Sequence, residues 1–154
     1  MAVALIEPPY NSTTHYVTQW LRGDSDRKVP PALDKIPRTE VWKWVDEDPG
    51  KRGRYVASFA PKDFSIEHWN TTLFRELLIR FGDRRDIRDA VSANFFTGSW
   101  SGSTSGHYRR QRDELLQLQR QESNPHVLLW LRETVESLAR FIEEATIEEE
   151  ARGY

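Results

Sequence analysis

The densest run of hydroxyl and phosphate-cradling residue types in the chain is Gly98-Ser-Trp-Ser-Gly-Ser-Thr-Ser-Gly106. Backbone N–H groups ahead of a helix can hold an anion, so a phosphate site is the first chemistry to test. A Walker loop would end in Gly-Lys-Ser/Thr, whereas here Gly106 runs into His107-Tyr108. A nucleophile elbow places Ser midway between two glycines four apart. Gly98 and Gly102 centre Trp100, and Gly102 and Gly106 centre Thr104, so neither window fits. The run reads as a loop leading into a helix, with Ser105 or a neighbour as its cap and Trp100 filling a gap in the core. Contact with a ligand through this loop stays open as the second reading.

The other reactive types are sparse. The four histidines are His15, His68, His107 and His126, and none has a metal-ligand spacing. His107 stands out because Arg109 and Arg110 follow it. There is no cysteine, which excludes a disulfide scaffold, a thiol nucleophile and a thiolate metal site. Carboxylate pairs such as Glu47/Asp48 and the terminal glutamates have no apolar pocket in sequence to raise a pKa. No catalytic, cofactor or metal residue is therefore assigned, and no cofactor is expected.

Residues suited to binding are more numerous. Arg80, Arg84, Arg85 and Arg88 fall on consecutive helical segments, and Arg109, Arg110 and Arg112 open the next. If helix starts line one edge, Arg84, Arg85, Arg88, Arg109 and Arg110 form one basic ridge for nucleic acid or an acidic protein. Asp83, Asp86 and Asp89 are interleaved, so a solvated face of local ion pairs is the competing reading. Of the six tryptophans, Trp69 and Trp130 sit in apolar stripes and are expected in the core. On a helix Trp42 and Trp44 point about 200° apart, so one should leave the core as an interface anchor. Trp42, Trp44 and Trp100 are the aromatic candidates for partner contact.

These residues need elements to hold them. A chain of 154 residues fits one domain. A hydrophobic share of 38% with 12% aromatics does not fit a disordered chain, which is aromatic-poor. It fits a thin helical assembly, or a protein that hides aromatics against a partner. The net charge of −2 gives no global pull toward nucleic acid or membrane. The opening Met1-Ala-Val-Ala-Leu-Ile6 is too short for a signal segment, and no apolar run approaches the ~20 residues of a membrane span. A cytoplasmic protein with no membrane partner is expected.

Along the chain, Pro8-Pro9 ends an extended lead-in. Tyr16, Val17, Trp20 and Leu21 suggest a short helix, and residues 22–38 read as a proline-containing linker. Residues 1–37 are thus a separate N-terminal segment, and 38–150 the helical domain. Thr39 to Val45 predicts a short helix, and Asp48-Pro49 a second helix start. A β-hairpin over 41–59 is the rival, because Val41-Trp-Lys-Trp-Val45 and Tyr55-Val-Ala-Ser-Phe59 are rich in strand formers. Ile66, Trp69, Leu73, Phe74, Leu77, Leu78 and Phe81 predict one helix from a Ser65 cap to Gly82. Asp83 opens the next, through Val91. Tyr108, Leu115, Leu116 and Leu118 mark a polar helix after the Gly/Ser loop. Asn124-Pro125 starts a last helix that fades into glutamates.

Three of the helix starts superimpose. Tyr55, Val91 and Leu131 coincide, with Phe59, Phe95 and Val135 four residues on; the periods are 36 and 40 residues. Two helices per period of this length is the mark of an α-solenoid. The Asp/Asn-Pro start, best seen in Asn124-Pro-His-Val127, resembles the second helix of HEAT-like repeats. Trp44-Val-Asp-Glu-Asp-Pro49, Phe95-Phe-Thr-Gly-Ser-Trp-Ser-Gly102 and Asn124-Pro-His-Val-Leu-Leu-Trp130 together resemble the carboxy-terminal helical module of large bacterial conflict and phage-defence proteins. The resemblance implies an all-α stack of antiparallel hairpins that binds protein, and it carries over no catalytic residue. The expected function is a non-catalytic interaction module whose partner is another protein or a second copy. A nucleic-acid-associated protein using the arginine ridge is the alternative, and an enzyme built on the Gly/Ser loop the third.

Overall fold

A computed structural model describes residues 32–153. The predicted lead-in, the helix around Tyr16–Leu21, Trp20 and His15 lie outside the described residues, as does nearly all of the 1–37 segment. Among the described residues all regular structure is helical. A 3₁₀ turn, Ala32–Lys35, precedes α1 (Arg38–Glu47) and α2 (Pro49–Phe59). A second 3₁₀ turn, Trp69–Thr71, leads into α3 (Leu73–Phe81), followed by α4 (Arg85–Phe95), α5 (Thr104–Gln121) and α6 (Pro125–Ala151).

The β-hairpin over 41–59 does not form. Val41, Trp42 and Val45 share one face of a helix and are all buried, whereas a strand would split the valines from Trp42. Asp48 then separates two helices. Its carboxylate accepts from the Lys51 amide at 3.3 Å, and Pro49 occupies the first turn, where its missing N–H costs nothing.

The helix expected from Ser65 to Phe81 is shorter than its apolar spacing predicts. Ser65 gives its hydroxyl to Asp63 at 2.6 Å and caps nothing. The α-helix starts only where Thr72 Oγ1 accepts the Arg75 amide at 3.2 Å. Ile66, counted on the stripe, is 40% exposed. The next start also moves, from Asp83 to Arg85. There Asp86 accepts the Ile87 amide at 3.0 Å inside the first turn.

α2 and α4 lie side by side in the same direction. Arg84 sits at Gly50 near their starts, and Asn94 Nδ2 donates to the Ala57 carbonyl at 2.8 Å near their ends. Asn94 thereby satisfies a carbonyl that the last turn of α2 leaves without an intrahelical donor. The approach is close because position 53 is glycine: a Cβ there would stand 2.7 Å from Ile87 Cδ1. α5 and α6 form a long antiparallel hairpin, with Ser105 meeting Glu149 and Arg109 meeting Thr146. Asn124 Oδ1 starts α6 by accepting from the amides of His126 and Val127. Its 27 residues make α6 about 40 Å long.

The core gathers between these layers. Phe64 stacks on Phe74 at 4.6 Å, meets Phe95 edge-on at 4.9 Å, and lies 5.8 Å from Trp130. Trp69 lies 6.1 Å from Trp130, so both tryptophans expected in the core are there. Leu77, Leu78, Ile87, Val91, Leu131 and Leu138 complete it. Burying each such side chain contributes roughly 1.5–3 kcal/mol, so this cluster is the main reason the helices hold together.

Candidate interaction surface

The Gly/Ser loop is shaped by two residues with left-handed backbone, Gly98 (φ 123°) and Gly102 (φ 90°). Between them the chain turns Trp100 outward. Trp100 fills no core gap and is 39% exposed. One face of its indole lies on the His107 ring, 4.3 Å away and 3° from parallel, and Tyr108 stands 5.8 Å to the side. Tyr108 continues to Phe141 at 5.5 Å, Phe141 to Phe96 at 5.4 Å, and Phe96 to Phe95 at 5.0 Å. A line of aromatic rings thus runs from the surface to the core and braces Trp100 from below.

The loop closes onto both neighbouring helices. Ser103, not Ser105, caps α5, accepting the Gly106 amide at 3.0 Å. Glu149, from the last turns of α6, accepts from the Ser105 amide at 3.0 Å and the Ser105 hydroxyl at 2.7 Å, and from Ser103 Oγ at 3.1 Å. These donors at a helix start hold the Glu149 carboxyl below its usual range, with the Ser105 side chain first among them. The amides that might have cradled a phosphate are therefore already met by a carboxylate from the same chain.

The charge around Trp100 is positive. Lys62 donates to the Thr97 carbonyl beside Gly98, and Arg110 reaches to the side of Gly106. Burial, then Arg110, then Lys62 push the His107 pKa below its ordinary 6.5, so its ring is neutral near pH 7. Arg109 bonds Ser105 and Thr146, whereas Arg110 has no hydrogen bond or ion pair among the described residues.

The remaining arginine candidates do not join this patch in a ridge. Arg84, Arg85 and Arg88 belong to the start of α4, whereas Arg109 and Arg110 follow the loop beyond its end. Eleven residues of α4 put about 16 Å between those ends. Arg84 makes a two-pronged contact with Asp86, and Arg85 faces Asp89 at 3.8 Å. Arg88 is buried, so it is no surface contact. It pairs with Glu133 at 2.9 and 3.1 Å and donates to the carbonyls of Gly82 and Asp83. Arg80 covers the Trp42 ring at 5.0 Å.

Trp42 likewise belongs to the core, at 4% exposure, with Nε1 donating to Glu76 at 3.0 Å. Trp44 is the one that leaves it, half-buried against Tyr55 at 5.4 Å with Arg52 over its ring. Of the eight candidates, Trp100 and Arg110 share one open patch, and Arg109 stands behind them.

Two further groupings were not foreseen. Asp63, Ser65 and His68 form a cluster of nucleophile, acid and base types. Asp63 accepts from the Ser65 hydroxyl at 2.6 Å, and His68 Nδ1 lies 3.0 Å from Asp63 and 3.3 Å from Ser65 Oγ. The serine proton points at the carboxylate and not at the imidazole, so this is a loop clasp without a relay. The Asp-x-Ser spacing of an Asx turn is the signal that could have found it. Burial raises the Asp63 pKa, but hydrogen bonds from Ser65 and His68 together bring it below the usual range. The second is an open cleft of about 640 Å³ between α4 and α6, where Arg85, Arg88 and Arg140 alternate with Asp89, Glu133 and Glu136. The charges answer one another, leaving no excess of either sign for a ligand.

Among the described residues no group of three or more metal-ligating side chains comes together, and no helix is long and apolar enough to cross a membrane. No family model matches the chain, and no curated protein or solved structure matches it either.

Proposed function

We propose that this chain is a non-catalytic protein-interaction module, working as a subunit or piece of a larger assembly, with Trp100 as its anchor. The observation that carries this is the braced, 39% exposed indole on the α5 lead-in loop. A large aromatic held rigid before binding loses little entropy on contact and supplies the kind of residue that dominates interface energies. Lys62 and Arg110 beside it favour a partner with carboxylates around an apolar side chain. The parallel α2–α4 pair and the antiparallel α5–α6 hairpin support reading the architecture as a short HEAT-like stack, with the patch at one end.

Nucleic acid is the second reading, because an exposed indole beside two cations is also how a base is stacked and its phosphate met. Capture of partners from native lysate by the tagged chain, with and without nuclease, separates the two. A stoichiometric protein that survives nuclease, and is lost with Trp100→Ala, is the expected result. Nucleic acid that washes away steeply with salt would put the second reading first. A protein captured equally by Trp100→Ala would move the contact elsewhere.

A further inference from the structure

The Trp100 patch contains one side chain that can change its charge near neutral pH. His107 stacks face to face on the indole, 4.3 Å away, and Tyr108 borders it at 5.6 Å. Neither ring nitrogen of His107 has a hydrogen bond among the described residues, and neither is closed off from the surface. Burial disfavours charge on the ring, and so do Arg110, one turn on along α5, and Lys62, from the segment ahead of α3. No carboxylate of the described residues is among the charges that act on it. Against the anchor there is thus a neutral imidazole with both nitrogens unengaged. A neutral imidazole offers one N–H donor and one lone pair, and the lone pair repels a carboxylate. An imidazolium offers two donors and a positive charge.

We infer that His107 is the proton-dependent contact of the Trp100 surface: on taking up a proton it donates to a carboxylate of the partner docked there, and the partner is held more tightly in mild acid than at neutral pH. Charging the ring does not dislodge Trp100, because an imidazolium on the face of an indole is an attractive pair. The protonation that the two cations resist in the free chain becomes favourable once a partner's carboxylate arrives. Protonation and binding are then linked, each strengthening the other by the same factor. Affinity rises as pH falls through the bound-state pKa of His107. It levels off below the free-chain value, which lies under 6.5. The partner's carboxylates, ordinarily near 4, stay ionised down to about pH 5, so the opposite charge is present throughout that window. The inference rests on reading Trp100 as a protein-binding anchor.

Affinity against pH tests it. The protein that the full chain captures from native lysate, and that Trp100→Ala loses, is purified. Its affinity for the full chain is measured by calorimetry at about pH 7.5, 6.5 and 5.5 at constant ionic strength. A gain of roughly threefold or more from the highest pH to the lowest is expected, the size of one charge-assisted bond at a partly exposed site. His107→Gln keeps a planar polar group that does not titrate, so it should bind like the parent at the highest pH and show no gain on acidification. Circular dichroism melts matching the parent establish that this variant is folded. In the unaltered chain, the His107 Cε1 proton should titrate at a higher pH with the captured protein bound than without it, a nuclear magnetic resonance readout that needs no variant. An affinity independent of pH, a gain retained by His107→Gln, or a His107 midpoint unmoved by binding overturns the inference and leaves the Trp100 anchor standing. If no captured protein depends on Trp100, the anchor falls and the inference with it.

Discussion

The two arginine clusters, Arg84-Arg85…Arg88 and Arg109-Arg110, look alike as strings of charge, yet they end in opposite situations. The first is used up inside the molecule: Arg84 by Asp86, Arg85 by Asp89, and Arg88 by Glu133 and two carbonyls. In the second, Arg109 turns to Ser105 and Thr146, and Arg110 faces outward beside Trp100. What decides is which acids close on a base, not the number of bases. Asp86 and Asp89 each pair with an arginine within one helical turn, whereas of the two acids one turn from Arg110, Asp113 is bonded to Arg112 and Glu114 makes no ion pair with Arg110 among the described residues. A cation count forecasts a binding surface only after local pairing has been subtracted.

The largest expected effect breaks the first cluster. Arg88→Ala leaves the carbonyls of Gly82 and Asp83 without their buried donor and removes the partner of the half-exposed Glu133. It should cost about 2–3 kcal/mol in urea unfolding while leaving partner binding intact. Arg110→Ala should do the reverse, lowering association with little change in stability. A stability loss for Arg110→Ala near that of Arg88→Ala would erase the contrast.

Another internal pairing extends the comparison through pH. Glu122 is 2% exposed at its side chain, bonded by Arg75 at 2.9 and 3.1 Å, by the Asn124 amide and by Trp69 Nε1. Burial pushes its pKa up, but these donors outweigh burial and bring it below the ordinary 4.5. A carboxyl depressed in the folded state stabilises fully above its unfolded value. That stabilisation disappears as pH falls from about 4.5 through the folded value. Glu122→Gln should cost roughly 1–3 kcal/mol at pH 7, and its deficit against the parent should shrink on acidification in that window. A deficit that is constant with pH would show that the carboxylate charge is not what matters.

Trp100→Ala should cost roughly 1–2 kcal/mol in thermal unfolding, since the ring is packed on one face against His107 and open on the other, yet remove partner capture. The smallest effect is expected from Arg85→Ala. Its pair with Asp89 is exposed and 3.8 Å apart, so unfolding should move within about 0.5 kcal/mol.

The helix starts at Pro49 and Pro125 were legible because cap chemistry is local: Asp48 and Asn124 act on amides two or three residues ahead. Trp69, Trp130 and the α3 stripe from Leu73 to Phe81 were legible from period alone. The start at Ser65 was misread because two side chains competed for it. Asp63 took the Ser65 hydroxyl, and Thr72 offered the cap that won. The direction of Trp100 was not legible, since it depends on two left-handed glycines and on a ring contributed by the following helix. Nor was the burial of Arg88, whose acid partner lies 45 residues away. The Glu149 contact with Ser103 and Ser105, 46 and 44 residues apart in sequence, is likewise a product of the hairpin, with no trace in local pattern.

Helix ends ordinarily fray one by one, but the finish of α6 and the start of α5 cannot do so here. The Glu149 carboxylate accepts from both Ser103 and Ser105, so releasing the α5 start leaves that carboxylate without its donors, and releasing the α6 end leaves those donors without their acceptor. The two should open as one cooperative unit. In amide exchange, the Gly106 amide at the start of α5 should share its opening free energy with the amides of the last turn of α6, despite the long stretch of chain between them. Proteolytic trimming of the α6 end, ahead of Glu149, should therefore free a loop that it never touches, and expose the Gly102 turn to the next cut.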